Sequence, residues 1–319
     1  VSANLFGEYL SEIFGKVPFD IYIILSEILL RHLGDHANQN IYSKFLIGTF
    51  QKVIDYYFIF LEVTIMTNEN NILTDIIDNI GIITLNKTEK HNTFDIPFAR
   101  ALNDALWEFE RDNKVKIVVI KAKGRNFSTG IALNEFKDKT PKEYRDFIHA
   151  MDEHNHTIAR MKKIVITSVQ GYAVANGAGL SFASDFTIAA DNAKFGTTAI
   201  NVGLICLGPA VPLMRIVGRK KTLEFVLTGK IIDAKEAYRL GIVNEVVPLE
   251  ELDDYTMKFA QKIAEKSPLA LQIGKWGIYQ MQDLPYHQAI DYMGELFSSL
   301  CTTKDAGEGV RAFLEKRNP

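Results

Sequence analysis

Three kinds of residue in this chain have chemistry beyond building a fold. The first are the glycines of two short segments, Phe127-Ser128-Thr129-Gly130-Ile131-Ala132-Leu133 and Gly171-Tyr172-Ala173-Val174-Ala175-Asn176-Gly177-Ala178-Gly179. Glycine admits backbone angles and close approaches that a Cβ forbids. The second is His154. From Pro141 onward, Tyr144, Phe147, Ile148, Met151, Ile158 and Met161 share one helical stripe, and the same spacing sets His154 and Asn155 on it. Imidazole titrates near neutral pH, so a histidine there is a candidate acid or base; the position equally suits a core histidine satisfied by a hydrogen bond. The third kind comprises Glu135, Asp138 and Glu143, which follow the first glycine segment, and Cys206. Loop carboxylates are mostly solvated. A buried cysteine with no basic neighbour in sequence acts as a small apolar residue rather than a nucleophile.

The elements that would position these groups alternate along the chain. Short β-branched runs at residues 81–85, 117–120, 164–169 and 186–190 predict strands, with another around 243–247. Between them, apolar periodicity predicts helices from about Pro97 to Arg111 and from Pro141 to Met161, and a run of helices closes the chain. This is the rhythm of repeated β-β-α units. Residues 1–65 read differently, as two or three amphipathic helices broken at Pro18 and around residues 34–40. That part carries four Lys/Arg against seven Asp/Glu, while the remainder has 32 of each, so the net charge of -3 belongs to the extension. Met66 and the polar run after it mark an expected boundary, giving a helical segment 1–65, a core 66–260 and a C-terminal helical region 261–319. The extension is expected to be an accessory hairpin, with a specific binding module as the alternative.

Composition excludes several classes. A net charge near zero gives no general attraction to nucleic acid or to an anionic membrane, so phosphate binding must come from local basic clusters. The two cysteines, Cys206 and Cys301, form no metal-ligand spacing and no disulfide framework, which fits a reducing compartment. The most apolar stretch, residues 56–66, is about half the length a membrane span needs and contains Glu62. With no basic region leading into an apolar run at the first residues, the expected location is cytoplasmic, or an equivalent matrix.

The two glycine segments, taken with Leu85-Asn86-Lys87-Thr88-Glu89-Lys90-His91-Asn92, Ser184-Asp185-Phe186, Lys194-Phe195-Gly196, Leu227-Thr228-Gly229 and the ending Glu308 to Arg317, resemble the enoyl-CoA hydratase/isomerase (crotonase) superfamily over residues 80–319. The segment Asn201-Val202-Gly203-Leu204-Ile205-Cys206 resembles a branch known as enoyl-CoA hydratase domain-containing proteins. The resemblance implies an α/β fold, a crotonase (ClpP-like) spiral of ββα units with a C-terminal helical trimerisation region, here with an extra N-terminal helical segment. It implies an acyl-CoA thioester as substrate, coenzyme A entering as part of that substrate, no metal or redox cofactor, and a homotrimer or hexamer.

Position by position, it implies that the backbone N–H groups of Thr129 and Asn176 form an oxyanion hole for the thioester carbonyl. Lys90, His91 and Asn92 would meet coenzyme A, and Lys316 and Arg317 would reach the nucleotide of a neighbouring subunit. The two glutamates with which hydratases of this family place and activate water fall at Gly179 and Ala199. Neither residue moves a proton, so simple hydration is not the expected reaction. Three readings follow: an enolate-stabilising acyl-CoA enzyme, a non-catalytic acyl-CoA-binding or scaffold protein, and a hydratase with relocated acid–base residues, for which His154 or Glu143 would be the first candidates.

Overall fold

The computed structural model describes residues 71–318; the helices expected over residues 1–65 lie outside them. Strand β1 (Ile72–Ile77) turns through Asp78 and Asn79, both at positive φ (49° and 66°), into the antiparallel strand β2 (Ile80–Leu85). Two consecutive left-handed residues are what a two-residue hairpin of this twist requires, and Asp and Asn tolerate them best after glycine. Helix α1 (Ile96–Arg111) then starts where the side chain of Asp95 accepts the N–H of Phe98 (3.0 Å), and Pro97 sits in its first turn. It leads to β3 (Ile117–Ala122).

Helix α2 (Pro141–Arg160) opens on a capping box: Thr140 Oγ1 accepts from Glu143 N (3.3 Å), and Glu143 Oε2 accepts from Thr140 N (2.7 Å). After it come β4 (Ile164–Val169), the short β5 (Tyr172–Val174), α3 (Asn176–Ala183), β6 (Phe186–Ala190) and β7 (Lys194–Gly196). Helix α4 (Leu207–Thr228) bends at Gly218, where φ is 73°. Then follow β8 (Ile231–Asp233), α5 (Ala234–Arg239), β9 (Glu245–Val247) and four closing helices, α6 (Leu252–Ala264), α7 (Pro268–Met281), α8 (Tyr286–Cys301) and α9 (Lys304–Leu314).

The main sheet runs β1-β2-β3-β4-β6-β9 and is parallel from β2 onward. Every residue of β2 and β4 is buried, because both faces are covered. Such strands read as continuous apolar runs rather than as alternating ones. On one face Ile83, Leu85, Val118 and Ile120 pack with Phe98 and Leu102 of α1 and Phe147 and Met151 of α2. On the other, Ile82, Val119, Ile166 and Ile188 pack with Leu252 and Ala260 of α6. Strands β5, β7 and β8 form a second small sheet, β5 parallel to β7 and β8 antiparallel to it. This α/β architecture is the one the sequence predicts.

Candidate active site

The first glycine segment is held on both edges by backbone. Ser128 donates to the carbonyl of Tyr172 (3.0 Å) and accepts from Val174 N (3.0 Å), extending β5, while Phe94 N reaches the carbonyl of Gly130 (2.8 Å) and Ala132 N that of Phe94 (2.9 Å). The second segment is pressed onto it. A Cβ on Gly177 would lie 2.3 Å from the Ser128 carbonyl oxygen, and one on Gly130 would lie 2.6 Å from Cβ of Ala175 and 3.4 Å from N of Asn176. Neither position has room for a side chain. Ala175 stands at φ 50°, ψ -122°, a region that non-glycine residues occupy only where packing enforces it.

These contacts decide which N–H groups are available. Thr129 N donates to the carbonyl of His91 (3.1 Å) and Gly130 N to Ser128 Oγ (3.3 Å). The N–H of Ile131 has no acceptor among the described residues, and neither has that of Asn176, the first residue of α3. Ile131, Asn176 and Thr129 all line a cavity of about 590 Å³. The pair of open donors is therefore Ile131 and Asn176, which corrects the assignment of Thr129: its N–H is spent, and the positive φ of Gly130 (90°) turns the chain between the two residues.

The cavity wall is mostly apolar, with Leu133, Phe136, Ile148 and Met151 contributing. Ala199 lines it with a methyl group. At Gly179 a Cβ would lie 2.9 Å from Cγ of Pro209, so the proline ring takes the space a longer side chain would need. Glu143 is exposed and tied into the cap of α2, where hydrogen bonds from Thr140 lower its pKa. Glu135, Asp138 and Glu143 are all absent from the wall. Cys206 lines the cavity, and burial, with the neighbouring charge of Asp152, pushes its thiol up, away from the thiolate.

His154 is buried as the stripe predicts, at 2 % exposure, but it lies behind the wall. Its ring packs on Phe94 (5.6 Å between centroids), its Nε2 has no hydrogen-bond partner among the described residues, and burial depresses its pKa to about 4. The acid–base role considered for it and for Glu143 finds neither of them at the cavity. The group that the sequence reading passed over is Asp152, the one carboxylate in the wall among the described residues. One further turn along the row of Ile148 reaches it, so the signal was present in the helical spacing. Desolvation raises its pKa.

At the other end of the first segment, Lys90 and His91 are exposed; Lys90 ends a single 3-10 turn, Thr88–Lys90, and His91 follows it. Asn92 is fully buried: its Nδ2 donates to the carbonyls of Lys123 (3.1 Å) and Asn126 (3.0 Å), and its Oδ1 accepts from Lys87 N (2.7 Å). Its side chain holds the loop together, leaving Lys90 and His91 to face outward. Lys316 and Arg317 follow α9, and Arg317 pairs with Glu308 and Glu315 (both 2.6 Å). Neither lines the cavity. No group of three or more His, Cys, Asp or Glu able to hold a metal is present among the described residues.

A sequence profile described as enoyl-CoA hydratase/isomerase matches residues 75–319. The chain belongs to the enoyl-CoA hydratase/isomerase family. Among its relatives in that family, a probable mitochondrial enoyl-CoA hydratase from Dictyostelium discoideum is 33% identical over 243 residues, 75% of this chain and 86% of that protein. Human enoyl-CoA hydratase domain-containing protein 3, mitochondrial, is 32% identical over 249 residues, 76% of this chain and 80% of that one. Its crystal structure aligns with a TM-score of 0.73 over 78% of this chain and 99% of its own. The crystal structure of the Mycobacterium smegmatis enoyl-CoA hydratase aligns with a TM-score of 0.76 at 33% identity, over 79% of this chain and 98% of its own. Among the described residues no helix is long and apolar enough to cross a membrane. Two of these relatives are named as mitochondrial, so the comparisons lend no support to a cytoplasmic location.

Proposed function

We propose that this chain is an acyl-CoA enzyme that grips the thioester carbonyl between the N–H groups of Ile131 and Asn176 and stabilises an enolate. The observation that carries this reading is that Ile131 and Asn176, whose N–H groups have no acceptor among the described residues, line one mostly apolar cavity. Donors fixed in a dry site before the reaction starts favour the oxyanion over the neutral carbonyl, and one such donor contributes about 10²–10³-fold in rate. Coenzyme A is bound as part of the substrate, with Lys90 offering a mobile positive charge to its phosphates. Simple hydration is disfavoured: Ala199 has no acid–base group, and Pro209 closes the space at Gly179.

The exposed apolar side chains of Tyr286, Phe297, Phe313 and Leu314 on and beside α8 and α9 support assembly into a homotrimer or hexamer. Of the cytosol and an equivalent matrix, the relatives' names favour the matrix. The second reading, an acyl-CoA-binding protein without catalysis, draws on the same loss of both glutamate positions.

The test follows hydrogen exchange at the α-carbon of a panel of acyl-CoA thioesters in deuterated water. Asn176→Pro deletes one donor, and proline suits the first position of a helix; Asn176→Ala loses the same side-chain bond to the Met151 carbonyl but keeps the N–H, so the two variants differ in the donor and the second serves as control for the first. Exchange that is lost in the first and persists in the second supports the enolate reading. Thioester binding with no exchange in the unaltered protein removes it and leaves the binding protein.

A further inference from the structure

Asp152 lies midway along α2, one residue beyond the Met151 carbonyl that accepts the side-chain amide of Asn176 (3.1 Å). One residue of α3 thus offers its N–H to the cavity and uses its side chain to fix the turn of α2 that carries Asp152. The carboxyl of Asp152 packs against the backbone at the start of α4. A Cβ on Gly208 would lie 2.2 Å from its Oδ1 and 2.5 Å from its Oδ2. Gly208 is not at positive φ, so its missing side chain is a matter of room: position 208 stays bare and the carboxyl fills the space.

This carboxyl makes no hydrogen bond or ion pair with any described residue. A carboxylate partly withdrawn from water with no hydrogen bond, and drawn only by His156 and His149 on its own helix, is costly, and such groups concentrate at functional sites. Asp152 also lies on the wall between the 590 Å³ cavity and a second one of about 1030 Å³, and lines both.

We infer that Asp152 is the sole proton carrier of the acyl cavity, and that it serves a reaction needing one acid–base group, the shift of a carbon–carbon double bond along an unsaturated acyl thioester. This rests on the enolate reading above. With a β,γ-unsaturated thioester, the Asp152 carboxylate takes a proton from the α-carbon. The electron pair of the broken C–H bond spreads into the thioester carbonyl, whose oxygen, now negative, is held by the N–H groups of Ile131 and Asn176. The Asp152 hydroxyl then returns the same proton to the γ-carbon, the carbonyl re-forms and the double bond lies between the α- and β-carbons. No water, oxidant or second base enters the balance.

The environment suits a group that must both take and give a proton. Burial raises the Asp152 pKa above the ordinary carboxyl value, and the other titratable wall residue, Cys206, is held as a thiol.

The full chain is incubated in deuterated water with a β,γ- and an α,β-unsaturated acyl-CoA of one chain length, and thioester affinity is measured alongside. The unaltered protein interconverts the two, and deuterium enters at the α- and γ-carbons only in the turnovers in which the Asp152 hydroxyl exchanges with solvent before the proton is returned. Asp152→Asn, which keeps the shape, slows this by about 10²–10⁴-fold. Gly208→Ala, which keeps the carboxyl but displaces it, slows it as well. In both variants affinity stays within about threefold. Interconversion that survives Asp152→Asn overturns the inference and leaves the enolate reading standing. Formation of a 3-hydroxyacyl product in place of the isomer overturns the double-bond shift. Binding with neither interconversion nor exchange in the unaltered protein, or no binding, overturns both readings.

Discussion

Pro209 occupies the space in front of Gly179: a Cβ on that glycine would sit 2.9 Å from the proline Cγ and 3.2 Å from its Cβ. The first hydratase glutamate is thus excluded by its neighbour as well as missing. Gly179→Glu alone should fail to install a carboxylate, overpacking the junction of α3 and α4 at a cost of about 1–3 kcal/mol. Adding Pro209→Gly should recover part of that loss, because the two residues touch and their effects couple. Denaturant midpoints of the two single variants and the double variant check this; strictly additive losses would remove the steric account.

Asp152 should trade stability for chemistry. Its folded-state pKa is raised, chiefly by desolvation, against the opposing pull of His156 and His149 on its own helix, with the Cys206 thiol facing it from the start of α4. A raised acid favours the folded protein while it is protonated and loses that contribution as pH rises through the folded value. Near neutral pH the ionised carboxyl is therefore a burden, and Asp152→Asn should melt higher than the unaltered protein. The difference should shrink below about pH 4, where the acid is protonated in both states. Thermal melts of both proteins across that range decide it.

His154 predicts the reverse slope. Its pKa falls to about 4 on folding, so its neutral form contributes stability above the ordinary histidine value of 6.5. That contribution is lost as pH drops from there toward 4, and the shift corresponds to about 3 kcal/mol. His154→Leu should flatten the acid limb of the stability curve while leaving acyl exchange in place, since the ring lies outside the cavity wall. Urea titrations at several pH values report it.

The C-terminal helix α7 is anchored by charge. Lys275 Nζ meets Asp185 Oδ2 at 2.7 Å and the Lys163 carbonyl at 2.9 Å, with side-chain exposures of 2% and 8% for the ion pair. Asp185 also accepts from Val165 N (2.8 Å) and from the Tyr279 hydroxyl (3.0 Å). Lys275→Met leaves that carboxylate buried without its cation, and should cost about 3–5 kcal/mol. Denaturant unfolding measures the loss; a change below about 1 kcal/mol would mean that the pair is not desolvated in solution.

Much of the fold is legible because its signals are local. The β-branched runs at Ile164–Val169 and Phe186–Ala190 are strands with those bounds, and Asp95 and Thr140 mark helix starts through their own side chains. The three-residue strands β7 and β8 carry no such pattern, since their pairing is set by neighbours distant in sequence. The site divides in the same way. The two glycine segments announce themselves, but which N–H remains open depends on hydrogen bonds to His91 and on the turn at Gly130. Asp152 looks like one more polar residue of a surface helix until Gly208, from a helix more than fifty residues later, packs over it.

Thr129 donates to the carbonyl of His91, and Ser128 Oγ to that of Asn92 (2.8 Å). These bonds stitch the loop that presents Lys90 to solvent directly onto the segment that presents Ile131 to the cavity. A push on one is transmitted to the other through two residues rather than across the domain. Grip on the far, unreactive end of a long substrate is thereby convertible into alignment of the donor at its reacting end, so a thioester trimmed of its nucleotide should lose turnover as well as affinity.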